Sequence, residues 1–260
     1  MTENGKPNFW TTGPGILTAS ASLLSAVGAL IGTLAAVGVI GGDDGPASSP
    51  TTTAETPTTT AERIVFTDDF DPPDERRWAV EGTGGRYTGG AYQISVERVA
   101  GRSSVLAFAR SPESDASIRI NVDVRRIGGT ANEGYGYGIF CRADGPDNRY
   151  AFTMWARHSV IDKIMDGRRV TLRTLDRVTA AVPGDDSVKK LQAVCANVDG
   201  GVDLQFSIED KLILRATDKD SPLTSGTFGL HAGLGKGGEN PQDTLELEFD
   251  DFEVNELTAE

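Results

Sequence analysis

Apolar and polar positions fall into three regimes along this chain. From Ile16 to Ile40 twenty-five residues pass without a charge. A hydrocarbon core about 30 Å thick is crossed by ~20 helical residues at 1.5 Å each. With no proline inside to break it, the run predicts a transmembrane helix over 16–40 and a cytoplasmic tail over 1–15. The whole uncharged stretch reaches from Phe9 to Gly42, longer than the roughly 7–15 apolar residues of a cleavable signal peptide. An uncleaved signal-anchor is therefore expected. Lys6 on the amino side and Asp43-Asp44 beyond the span orient the rest of the chain away from the cytoplasm. Gly28 and Gly32, spaced as G-x-x-x-G, would let two such helices dimerise at close range.

Residues 41–62 hold seven threonines, three prolines and no aromatic. Such a segment buries too little apolar surface to offset its ordering entropy, so a Thr/Pro-rich linker is expected. From 63 to 260 the pattern has period two. Ile118, Ile120, Val122 and Val124 alternate with polar residues, as do Leu204, Phe206 and Ile208, and Leu245, Leu247 and Phe249, which marks strands with one face on a core. Asp250-Asp251 then shift the apolar parity to Phe252 and Val254, predicting a bulge. Gly/Pro/Asp clusters such as Gly145 to Asn148 and Asp199 to Gly201 separate the runs. No long segment beyond the span has helical periodicity, so 63–260 reads as one all-β domain of ten to twelve strands, a sandwich or barrel.

Charge narrows the partners. The chain carries 38 acids and 25 bases, net −13, which excludes a nucleic-acid partner because phosphates need a basic face. Two cysteines and two scattered histidines cannot build a zinc site of usual spacing. In an oxidising compartment Cys141 and Cys195, both on expected strands, pair as a disulfide; two separate buried thiols are the alternative.

Several segments then occur in a telling order: Asp68-Asp69-Phe70, Trp78, Tyr87 to Tyr92, Gly136-Tyr137-Gly138-Ile139-Phe140-Cys141-Arg142-Ala143-Asp144, and Asn148-x-Tyr150-Ala151-Phe152. They are followed by Leu191 to Cys195, Ser225 to Leu230 and Phe249-Asp250-Asp251-Phe252. Together these resemble the concanavalin A-like lectin/glucanase superfamily, in particular membrane-tethered bacterial ectodomains. The resemblance covers about three quarters of the chain. It implies a two-sheet jelly-roll sandwich with first and last strands adjacent and a concave sheet that often binds glycans. The chain departs from it at Ile208-Glu209-Asp210-Lys211, where relatives often have an Asn-Gly turn. A second departure is Trp155-Ala156-Arg157-His158, in place of a glycine-containing turn.

Candidate chemistry follows from these positions. Glycosidases of the superfamily carry Glu-x-Asp-x-x-Glu, because a retaining pair needs carboxyls ~5–5.5 Å apart, and this chain lacks the motif. Its nearest approach, Glu246-x-Glu248-x-Asp250, reads as the solvated face of the last strand, so no catalytic residue is assigned. Asp68, Asp69, Asp250 and Asp251, on strands that the resemblance places together, offer hard oxygen ligands to a structural calcium; no other cofactor is indicated. For sugar binding, Tyr137, Arg142, Trp155, Arg157 and His158 combine aromatic faces with polar groups. Tyr150, Phe152 and Trp78 read as core, and Tyr137 fits either role. The leading expectation is a membrane-anchored extracytoplasmic module binding a carbohydrate or surface polymer. A structural or protein-interaction ectodomain without a small ligand is the alternative, and a glycoside hydrolase-like enzyme is third.

Overall fold

The computed structural model describes residues 61–258, apart from 72–73, 75–76, 82–83, 99–103, 131–133, 156, 177–186 and 236–241. The chain divides into two units, Met1–Ala54 and Glu55–Glu260, and the described residues belong to the second. The expected tail, membrane span and nearly all of the linker lie outside them. No helix of the described residues is long and apolar enough to cross a membrane.

Among the described residues fifteen strands build the domain: β1 (Ala61–Asp68), β2 (Trp78–Glu81), β3 (Gly85–Tyr87), β4 (Tyr92–Glu97), β5 (Ser104–Ala109), β6 (Ile118–Gly128), β7 (Tyr135–Asp144) and β8 (Asn148–Trp155). They continue as β9 (His158–Met165), β10 (Arg168–Asp176), β11 (Lys189–Val198), β12 (Gly201–Ile208), β13 (Lys211–Asp218), β14 (Thr227–Leu234) and β15 (Thr244–Thr258). That exceeds the ten to twelve expected. Strands of three or four residues, such as β2 and β3, are too short for alternation to register. Edge strand β10 is exposed along most of its length, with Leu172 packed against the core.

All pairings are antiparallel and form two sheets. One has the order β13-β12-β11-β6-β15-β4-β3, with β1 also on β15; the other runs β10-β9-β8-β7-β14-β5-β2. Each contributes alternate residues to one core. Ile118, Ile120, Val122 and Val124 of β6 face Tyr135, Tyr137, Ile139 and Cys141 of β7, all essentially buried. The bulge at Asp250-Asp251 is present: the β6–β15 register shifts between Asp250 and Glu253, and Asp251 takes a left-handed φ of 49°. It lets β15 pair with β4 over Thr244–Phe249 and with β1 over Phe252–Thr258 on the same side, while apolar residues stay inward on both stretches. First and last strands are thus adjacent.

Cys141 on β7 and Cys195 on β11 form a disulfide, Cα atoms 6.8 Å apart, and so tie one sheet to the other. Two polar locks reinforce that junction. Lys163 Nζ donates to Asp218 Oδ2 at 2.8 Å and to the Ser221 carbonyl at 2.7 Å, while Tyr150 Oη donates to the same carboxylate oxygen at 2.6 Å. Burial opposes ionisation of Asp218, but these donors outweigh it and hold its carboxyl below the usual range.

Candidate functional site

In the seven-stranded sheet, core-facing residues alternate with a second set on the outer face. On β8 the inward residues are Tyr150, Phe152 and Met154, so Arg149, Ala151, Thr153 and Trp155 point the other way. Trp155 ends β8 and His158 begins β9. Their rings stack with centroids 5.9 Å apart and planes 12° from parallel. Trp155 stands opposite Gly136 of β7. A Cβ at Gly136 would lie 2.7 Å from the indole Cδ2, and one at Gly235 would lie 2.9 Å from Cζ3. The indole therefore rests against backbone that only glycine leaves free.

The next cross-strand row repeats the device. Thr153, Gly138 and His231 stand opposite one another on β8, β7 and β14. Because Gly138 carries no side chain, Thr153 Oγ1 meets His231 Nε2 at 2.9 Å across it. A Cβ at Gly138 would fall 1.9 Å from the Phe152 carbonyl oxygen, so the position accepts no other residue. Burial, with smaller effects from Arg149 and Arg169, pushes the His231 imidazole down to about 3, so the ring is neutral and Nδ1 has no hydrogen-bond partner. Further along the face, Asp162 accepts from Thr171 Oγ1 at 2.6 Å and lies 3.5 Å from Arg169 Nε.

Of the five residues expected to contact a sugar, the structure brings Trp155, Arg157 and His158 together at the β8–β9 turn. Two do not belong there. Tyr137 is 1% exposed in the core, stacked on Tyr135, because its parity on β7 matches Ile139 and Cys141. Arg142 is also 1% exposed. It sits where β7 shifts register against both neighbours, with φ of 52°, which turns its side chain inward. Its guanidinium donates to the carbonyls of Ser114, Thr224 and Ala116 and to Asn197 Oδ1 at 2.5–3.1 Å, clamping two loops to β11. Burial lowers its pKa. Thr153 and His231 were missed in the sequence, although alternation from Tyr150 and Leu230 places both on the outer face.

The acids expected to offer calcium ligands lie at the end of β1 and on β15. Both carboxylate oxygens of Asp68 are engaged: Oδ1 accepts from the Phe70 amide and Oδ2 from Trp78 Nε1, each at 2.9 Å. Asp68, Asp69 and Asp251 do line one cleft, of about 290 Å³, but Arg77 enters it with Nε 3.7 Å from Asp68 Oδ2. Asp250 instead lies opposite Asp123 on the other side of β15. Among the described residues no three His, Cys, Asp or Glu side chains converge on a cation position. Glu248 is bound by Arg125, whose Nε donates at 2.7 Å.

No family model matches the chain, and no curated protein matches it. Solved structures do. The domain is similar to the carbohydrate binding module CBM66 from Bacillus subtilis, with TM-score 0.51 and 15% identity over 68% of this chain and 93% of that one. It is similar to an endo-1,3-beta-glucanase from Streptomyces sioyaensis, with TM-score 0.52 and 12% identity over 76% and 97%. It also resembles the CBM2 module of the evolved Dit of Lactobacillus casei BL23 phage J-1, with TM-score 0.51 and 12% identity over 77% and 98%. At such identities the likeness establishes the fold alone, a two-sheet antiparallel jelly-roll sandwich.

Proposed function

We propose that this chain presents a carbohydrate-binding sandwich outside the cell membrane, held there by residues 16–40 through the linker 41–62. The observation that carries the reading is the Trp155–His158 stack, set against glycine backbone one row from the Thr153–His231 pair. Sugars present C–H faces to aromatic rings, and the Trp155–His158 stack offers such a platform. The carbohydrate-binding modules that share the fold lend further support. A fold alone hosts many functions, so the argument rests on the face. Binding is favoured over hydrolysis because Glu248, in the chain's nearest approach to the superfamily's acidic motif, is held by Arg125.

Every described strand, the disulfide and the core lie within residues 61–258, so 61–260 is a self-sufficient sample. On a glycan array it should bind at least one class of polysaccharide. Trp155→Ala should weaken that binding by about tenfold or more with unchanged circular dichroism. Silence of the folded domain across the array would leave a protein-interaction ectodomain. For the anchor, the full chain should stay in the pellet when membranes are washed with alkaline carbonate.

A further inference from the structure

The charge of this acidic protein is not evenly spread. Residues 148–176, which form β8, β9 and β10, hold six of the chain's 25 basic residues but only three of its 38 acids. The segment is net positive inside a chain of net charge −13, and it is the one that carries the Trp155–His158 stack. Solubility accounts for an acidic coat over the rest of the chain, but not for a local reversal of sign.

The positions are ordered as well. Arg149 and Arg169 both stand opposite Ile164, on β8 and β10, and so share one cross-strand row of the outer face. Arg157 lies in the β8–β9 turn, next in sequence to His158. Six residues of β8 separate Trp155 from Arg149, roughly 20 Å at strand rise. Within that span Asp162 is 2% exposed and already engaged by Thr171 and Arg169, and Asp176 stands opposite His158 on β10. Lys163 points into the core, where it pairs with Asp218.

Resting on the glycan-binding reading, we propose that the ligand of this face is an anionic polysaccharide, a sugar chain bearing carboxylates or phosphates. Its rings lie on Trp155 and His158, and its acid groups meet Arg157 at one end and the Arg149–Arg169 row at the other. Guanidinium forks match both acid groups with paired hydrogen bonds. The aromatic ledge selects a sugar chain over a lipid surface.

The test titrates the folded 61–260 domain with polygalacturonate, with poly(glycerol phosphate), with a neutral β-1,3-glucan and with phosphatidylglycerol vesicles. At least one of the two anionic chains should bind about tenfold or more tightly than the neutral glucan. Raising ionic strength from about 0.01 M to 0.1 M, which shortens the Debye length from ~30 to ~10 Å, should weaken that binding severalfold. Whichever anionic chain binds identifies carboxylate or phosphate as the recognised group. Arg169→Gln should lower the affinity, and so should Arg157→Gln. Arg63→Gln, on β1, should leave it unchanged. Salt-insensitive binding of the neutral glucan that is lost in Trp155→Ala would overturn the charge inference and leave the glycan reading standing. Binding to vesicles with neither anionic chain bound would also overturn it. Indifference to all three polymers would sink the glycan reading itself.

Discussion

At the scale of single residues, side-chain parity decides which groups reach a ligand. Tyr137 and Trp155 are both aromatics on neighbouring strands of one sheet, yet one lies in the core and the other on the outer face. The buried Tyr137 hydroxyl has no partner, and burial raises its pKa. Tyr137→Phe should therefore raise stability by about 1 kcal/mol, read as a higher urea midpoint, and leave glycan binding unaltered. His231 is neutral in the fold, with its pKa depressed to about 3 against an ordinary value near 6.5. Between those values the unfolded chain binds a proton that the folded one does not. Stability should be constant above pH ~6.5 and decline as pH falls toward ~3, and His231→Gln should flatten that part of the curve. Parity is legible in a sequence when neighbours alternate cleanly, as on β6, where Ile118, Ile120, Val122 and Val124 all turn to the core. Arg142 was misplaced because a register shift reverses the facing of its strand, and no residue type there announces it.

At the scale of elements, the last strand shows what a pattern can and cannot carry. The parity change at Asp250-Asp251 gave away the bulge, because Leu245–Phe249 and Phe252–Val254 must both face inward. The consequence for charge was hidden, since it depends on which strand lies alongside. β6 places Asp123 directly opposite Asp250, and burial together with Asp251 raises the pKa of both. A raised carboxyl pKa costs the fold nothing below the unfolded value. The penalty develops as pH rises through the folded value. Asp123→Asn should thus stabilise the domain at pH 7 by about 0.5–1 kcal/mol, and the gain should vanish near pH 3. Adjacent carboxylates suggest a shared ion, and within this group Asp68 is turned inward to hold Trp78 and Phe70.

At the scale of the whole molecule, the sandwich is two sheets joined through one covalent link and a set of buried polar locks. The Cys141–Cys195 bond closes a sequence separation of 54, worth about 4 kcal/mol in the chain-entropy picture. Reduction should lower the unfolding midpoint accordingly, with the β-sheet circular dichroism of the native state retained. The strand pattern and cysteine placement made the fold class and this bond legible from sequence. The charge asymmetry was hidden in the total, because a net of −13 conceals a basic edge until the sheet order sets β8, β9 and β10 side by side. Residues 61–260 contain two tryptophans, which serve as internal reporters: Trp78 Nε1 is bonded to Asp68 in the core, and Trp155 lies on the proposed face. The most direct measurement is a ¹⁵N–¹H titration of the two indole signals with polygalacturonate and with poly(glycerol phosphate). The Trp155 signal should shift saturably with a bound polymer while that of Trp78 stays fixed; saturable binding that leaves Trp155 unmoved would contradict the site.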